Sequence, residues 1–181
     1  VHGGGSGCVN SFLFRFEGGE VLANAFGAPF VVDGPERDIT LTGYARTKGA
    51  TACALEMGGR SDIELNWAQR IASGLRRALI GVSVLNGEIT EQVTESIPVK
   101  ETLVIRPSRG GIFVPELRVN DIGTIVEKGT LLGNLLDSGT MRVIEEFKAP
   151  FANTCMLLLR PTLARLEGGA MTYVVAEPID S

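Results

Sequence analysis

The sequence predicts an α/β unit over residues 1–95 followed by a small all-β unit over residues 96–181. A buried strand that ends at paired glycines and leads into one long amphipathic helix predicts the first unit. Short apolar segments separated by turn residues, without a further helical pattern, predict the second. The 181 residues include 23 glycines, and 44% are hydrophobic and 21% charged. This composition is typical of a globular chain with many tight turns.

The first unit begins with a short helix and a strand. Residues 20–26 read as a helical segment, and Gly27 is placed to end it. A strand is predicted over residues 28–32, where apolar residues run together. Helix and strand therefore alternate from the beginning of the chain.

A second strand and the longest helix complete the first unit. The strand covers residues 51–57 and stops at Gly58-Gly59. Ser61 and Glu64 then have the spacing of a capping box, and Asn86-Gly87 is the predicted end of the helix. The helix has one apolar stripe, formed by Ile63, Trp67, Ile71, Leu75, Leu79 and Val82.

The second unit follows a polar linker at residues 88–95 and consists of short strands. Pro107, Lys128-Gly129, Ser138-Gly139 and Gly168-Gly169 are the turn residues between them. The predicted strands cover residues 101–106, 111–115, 131–136, 141–149, 154–160 and 171–176. Close spacing of this kind is typical of a small barrel or sandwich.

Charge and cysteine content exclude several classes of protein. With 17 basic and 21 acidic residues the net charge is −4, which gives neither a nucleic-acid footprint nor a basic membrane surface. No apolar run reaches the roughly 18 residues of a membrane span.

Three scattered cysteines leave at least one thiol unpaired, so we expect a cytoplasmic protein. Because the chain opens on Val1-His2 without a methionine, we also expect it to be part of a longer protein.

His2 is the single histidine, and four of the next five residues are glycine. Glycines beside a histidine leave open space, which suits a metal ligand that must also admit water and substrate. An ordinary surface histidine near a terminus is the alternative interpretation.

Glu56 ends an apolar strand and precedes Gly58-Gly59. Active sites of open α/β sheets lie beyond such strand ends, and apolar surroundings make a carboxylate a stronger base, which suits a general base. The alternatives are a carboxylate that caps a turn or forms an ion pair with Arg60 or Arg70.

Three further residues, Arg60, Tyr44 and Arg109, are candidates for substrate contact. Arg60 stands before the long helix, where its guanidinium can bind a carboxylate or carbonyl, although it can equally pair with Asp62. Tyr44 and Arg46 precede the Glu56 strand, in a loop or short helix, and could line a pocket. Arg109 is the third candidate for substrate contact.

Together, Val1-His2-Gly3-Gly4-Gly5, Leu55-Glu56-Met57-Gly58-Gly59 with its helix, and the β-rich tail resemble the succinylglutamate desuccinylase/aspartoacylase family. These are zinc-dependent deacylases related to the zinc carboxypeptidases. The resemblance implies a zinc-exopeptidase-like mixed sheet with flanking helices, zinc as cofactor, His2 as a zinc ligand and Glu56 as the general base. It also implies an N-acyl amino acid or similar small amide as substrate.

The early His-x-x-Glu pair of that family is absent from this chain. The resemblance therefore covers the later half of the catalytic domain and the C-terminal β domain. It implies a partner fragment or subunit that supplies the missing zinc ligands, and hence an oligomer. The alternative function is a non-catalytic structural or binding subunit, or a relative without metal.

The tail is also similar to the barrel-sandwich domains of biotinyl and lipoyl carriers. The similarity lies in residues 119–133, in Lys148-Ala149-Pro150 and in residues 165–169. A carrier needs an exposed Lys on its central hairpin, but residues 136–141 contain none. We therefore expect a barrel-sandwich-like domain with a packing role.

Overall fold

In a computed structural model of the chain, the structure describes residues 1–3, 9–10, 12–34, 39–58, 64–91, 93, 95–100, 102–118 and 121–179. The described part is a mixed α/β fold with three helices and three sheets. The helices are α1 (Glu20–Phe26), α2 (Leu41–Thr47) and α3 (Glu64–Gly81). The strands are β1 (His2–Gly3), β2 (Val9–Asn10), β3 (Phe12–Arg15), β4 (Phe30–Asp33), β5 (Cys53–Gly58), β6 (Ile97–Val99), β7 (Leu103–Ile105), β8 (Gly111–Pro115), β9 (Ile125–Glu127), β10 (Leu131–Leu136), β11 (Val143–Lys148), β12 (Asn153–Leu159), β13 (Ala164–Leu166) and β14 (Tyr173–Ala176).

A five-stranded mixed sheet forms the centre of the first unit, in the order β1-β5-β3-β4-β6. Strands β1 and β5 run parallel to each other, and β5 is antiparallel to β3. Strands β3, β4 and β6 share the opposite direction. The carboxyl ends of β1 and β5 therefore meet at the same edge of the sheet.

Helices α1 and α3 cover one face of the mixed sheet. Leu13 of β3 and Leu55 of β5 are cross-strand neighbours on this face. They join a helix-facing core with Ala23, Phe26, Ala28, Ile71 and Ala78. Gly27 ends α1 in a left-handed conformation at φ 73°, as its position in the sequence predicts.

The opposite face of the mixed sheet packs on a second sheet, whose order is β2-β12-β14-β7, with β9 also paired to β12. Side chains of β3, β4 and β6 meet side chains of β12 and β14 in an inter-sheet core. Its buried members are Phe12, Phe30, Val32, Val99, Cys155, Leu157, Leu158, Val174 and Ala176. The second sheet therefore forms the cover of this face.

The other face of the second sheet packs on a third, with the order β11-β10-β8-β13. Phe113, Leu135, Phe147, Met156 and Tyr173 are central to the sandwich core between them. In the described residues no sheet closes into a barrel, so the barrel-sandwich arrangement stays a prediction. The hairpin between β10 and β11 lies where the sequence predicts it.

The apolar stripe of α3 differs from its prediction. Ile71 is buried, but Leu75 and Leu79 are 41% and 39% exposed. Gly74 lies in the contact with α1 instead, because a Cβ there would come within 2.6 Å of the Phe26 ring. Small residues allow the two helices to approach closely. The helix also ends at Gly81, before the predicted Asn86-Gly87, and its predicted cap at Ser61 lies outside the described residues.

The predicted β strands of the second unit are present, and those at Gly111–Pro115 and Leu131–Leu136 have the predicted bounds. Strands β6, β9 and β13, of three residues each, were not predicted. Two pairings cross residue 95, since β6 joins the mixed sheet and β2 joins the second sheet. The division into units at that residue stays a prediction. None of the helices among the described residues has the length and apolar character of a membrane span.

Candidate functional site

His2 and Glu56 lie side by side at the edge where β1 and β5 end. The strands are parallel with His2 opposite Glu56, so both side chains lie on the same face of the sheet. The Nδ1 atom of His2 is 3.1 Å from Oε2 of Glu56. The imidazole is 72% exposed and the carboxylate 20% exposed. The pair is therefore accessible to a small ligand from the histidine side.

The sequence of β5 explains the position of the carboxylate. Successive side chains of a strand point to opposite faces, and Leu55 belongs to the helix-facing core. Glu56 consequently lies on the face that the second sheet covers. The pairing with β1 is irregular here, because β5 advances from Glu56 to Gly58 while β1 advances from His2 to Gly3. Such a bulge changes the direction of the strand beside the site.

The donor set matches zinc chemistry in kind but not in number. An imidazole nitrogen beside a carboxylate oxygen is the donor chemistry that zinc takes, but a catalytic zinc site has three protein ligands and one open position. Among the described residues no group of three or more His, Cys, Asp or Glu side chains could hold a metal ion. His2 and Glu56 alone do not complete a zinc site.

The other predicted contacts are distributed over the chain. Arg60 lies outside the described residues. Tyr44 is exposed on α2, which confirms a short helix at this point, and Lys48 Nζ lies 5.4 Å from its ring centroid. Arg46 of the same helix lies 3.6 Å from the Glu17 carboxylate. Arg109 is in the turn between β7 and β8, where its backbone faces Gly168. The roles of these residues in substrate binding stay predictions.

Arg160 is a further charged residue that was not predicted as a site residue. It directly follows β12, whose last six residues are buried. The same signal, a charge at the end of an apolar strand, led to Glu56. Applied to the second unit as well, it would have found Arg160.

Comparisons with known proteins identify the fold. No family model and no curated protein matches the sequence. An aspartoacylase family protein from Mesorhizobium loti has a similar structure, with a TM-score of 0.74 at 17% identity over 100% of this chain and 56% of its own. A succinylglutamate desuccinylase/aspartoacylase from Rhodobacter sphaeroides gives 0.77 at 19% identity, over 99% and 57%. The product-bound ectoine utilization protein EutE from Ruegeria pomeroyi gives 0.71 at 23% identity, over 97% and 56%.

The described residues form a mixed sheet flanked by helices, with an attached β sandwich. The chain has the fold of aspartoacylase/succinylglutamate desuccinylase family proteins, which confirms the predicted resemblance at the level of the fold. It spans a little over half the length of these solved structures.

Proposed function

We propose that the chain is the later part of an amide hydrolase that removes the acyl group from an N-acyl amino acid or a similar small amide. The observation that supports this proposal is the contact between His2 Nδ1 and Glu56 Oε2 at the ends of two parallel strands. A general base beside a metal-ligating imidazole is the arrangement that metal-assisted amide hydrolysis needs.

Glu56 acts as the general base. Its half-buried carboxylate takes a proton from the attacking water and returns it to the nitrogen of the leaving amine. His2 would hold zinc through a ring nitrogen, together with ligands from outside the described residues. When bound, zinc would supply polarisation of the scissile carbonyl and a more acidic water.

We propose that a partner fragment or subunit supplies the remaining ligands as a His-x-x-Glu pair. Within the described residues β1 is an edge strand of the mixed sheet. Its free edge offers backbone groups with which a further strand can pair. The reading frame upstream of Val1 tests the source of this pair. A continuous frame containing His-x-x-Glu supports a cleaved precursor, whereas an independent start immediately before Val1 makes the chain a separate subunit.

The central test is Glu56→Gln in the complete protein. We expect kcat to fall by about 10²- to 10⁴-fold, the usual contribution of a general base, while the zinc content stays unchanged. Glu127→Gln, which alters an exposed carboxylate of β9, is the matched control and should keep full activity. Turnover at the normal rate in the Glu56→Gln protein would exclude the assigned role.

A non-catalytic structural or binding subunit is the second candidate. It is favoured by the incomplete donor set among the described residues. Metal analysis of the purified protein, with its intact mass, distinguishes the two functions. A metal-free chain without a partner supports the non-catalytic function, and zinc with a second polypeptide or segment supports the hydrolase.

A further inference from the structure

Arg160 has an incomplete set of hydrogen bonds in the described part of the chain. Its Nε atom is buried and, in the described part of the chain, has no hydrogen-bond partner. Its Nη2 atom donates to the Met171 carbonyl at 3.5 Å, at the limit for a hydrogen bond. An unsatisfied buried donor of a charged group is costly. The Nε–Nη2 edge of the guanidinium is therefore available to an acceptor.

Strand alternation places this edge on the side of the mixed sheet. Leu158 belongs to the inter-sheet core and Leu159 to the sandwich core. Because side chains alternate along a strand, Arg160 follows on the same side as Leu158. Met171, whose carbonyl accepts the long hydrogen bond, also packs against the inter-sheet core. The guanidinium thus lies between the second sheet and the mixed sheet.

The same face of the mixed sheet holds the candidate base. The register of β3 with β5, continued by one residue, places Phe12 beside Glu56. Phe12 is buried in the inter-sheet core, so Glu56 lies on the face that β12 covers. Leu159 pairs with Val9, and β2 leads into β3. Arg160 is consequently at the end of β12 that adjoins the strands of the site.

We propose that Arg160 binds a carboxylate of the substrate and so determines its specificity. A guanidinium edge with two N–H groups matches the two oxygens of a carboxylate and forms a bidentate, charge-assisted pair. An N-acyl amino acid has such a carboxylate next to its scissile amide. The substrate class in this assignment rests on the proposed function. The choice of Arg160 rests on its geometry.

The kinetic test compares a charged and a neutral substrate in the complete protein. The substrates are N-acetyl-L-aspartate, chosen because structures of the same fold are described as aspartoacylases, and its diamide. Arg160→Met preserves the apolar stem, and we expect it to raise KM for the acid about 10- to 100-fold, the range for lost charge-assisted hydrogen bonds. KM for the diamide and kcat for the acid should change little. Arg160→Lys, which keeps the charge without the bidentate edge, should give an intermediate KM.

A binding test separates this proposal from hydrolysis. N-acetyl-L-aspartate is titrated calorimetrically into the Glu56→Gln protein, with and without Arg160→Met. We expect the added substitution to weaken binding by the same 10- to 100-fold. Arg142→Met, which removes an exposed guanidinium between β10 and β11, is the matched control and should leave the Kd unchanged.

The outcomes of the two tests are distinct. If binding depends on Arg160 but the wild-type protein shows no turnover, the proposed hydrolase function is wrong, and the proposal that Arg160 binds a carboxylate stands. Turnover of the acid with a Kd that does not depend on Arg160 overturns the anion site and leaves the hydrolase. If Arg160→Met loses activity toward the acid and toward the diamide equally, and its melting temperature is lowered, Arg160 only supports the fold. Absence of binding in the protein that retains Arg160 also overturns the proposal.

Discussion

Gly74→Ala should destabilise the protein although it improves the helix. Gly74 is buried in the interior of α3, at the contact with α1. A Cβ there would lie 2.6 Å from Cε2, 2.8 Å from Cδ2 and 2.8 Å from Cζ of Phe26. Non-bonded carbon atoms do not approach this closely, so either the Phe26 ring or the helix would have to shift. Because Phe26 is only 8% exposed, its ring has little room to move.

Two opposing free energies determine the sign. Alanine in place of glycine inside a helix contributes about 1 kcal/mol of stability. Overpacking of a buried contact costs roughly 1–3 kcal/mol. The free energy of unfolding should therefore decrease by about 1 kcal/mol in Gly74→Ala.

Urea unfolding followed by circular dichroism measures this change. Ala72→Gly, at an exposed position of the same helix, reports helix propensity alone and should cost about 1 kcal/mol. Phe26→Leu removes the ring atoms nearest the new methyl group. In the double variant Gly74→Ala/Phe26→Leu we expect a coupling free energy of about 1–3 kcal/mol, in the range found for residues in contact.

Stabilisation of about 1 kcal/mol by Gly74→Ala alone would refute this reasoning, because propensity would then act without opposition. Strictly additive effects in the double variant would refute it as well. Either result would mean that the two helices are further apart than the structure places them.

Two further predictions concern the β unit. The hydroxyl of buried Tyr173 donates to the Leu132 carbonyl at 2.5 Å, and the same carbonyl accepts from the Glu116 N–H at 2.9 Å. Tyr173→Phe therefore leaves no unpaired acceptor and should cost about 1 kcal/mol in urea unfolding; a cost near zero would mean that the hydrogen bond contributes nothing. Burial raises the pKa of the Cys155 thiol to about 11, so in a Cys8→Ser/Cys53→Ser protein we expect no reaction with iodoacetamide at pH 8 until urea unfolds the chain. Rapid labelling of the native protein would contradict the position of this cysteine.

Local signals in the sequence predicted the elements that form by local interactions. Helix α1 and its end at Gly27 were predicted because a left-handed glycine marks a helix end irrespective of the rest of the fold. The buried side of α3 was not predicted correctly, since counting large apolar residues overlooks a contact made through Gly74. Strands β9 and β13 exist through their pairing with β12 and β8, which no local pattern contains.

The candidate site could likewise be predicted only where a local signal or the family resemblance existed. Glu56 follows from a general rule about strand ends, and its proximity to His2 follows from the family resemblance. Arg160 becomes significant only when the second sheet is placed on the mixed sheet. The sequence does not relate the charge at residue 160 to a site around residue 56, because that relation depends on how the two sheets pack.

The second sheet has an apolar surface on both sides. Residues of β12 contribute to two cores, so loss of this sheet would expose the inter-sheet core and the sandwich core together. Neither the α/β unit (residues 1–95) nor the β unit (residues 96–181) can therefore unfold while the other keeps its complete hydrophobic core. We expect the two units to unfold in a single cooperative transition. Ligand binding at one end of the chain would then protect amides at the other end from hydrogen exchange, because both depend on the same global opening.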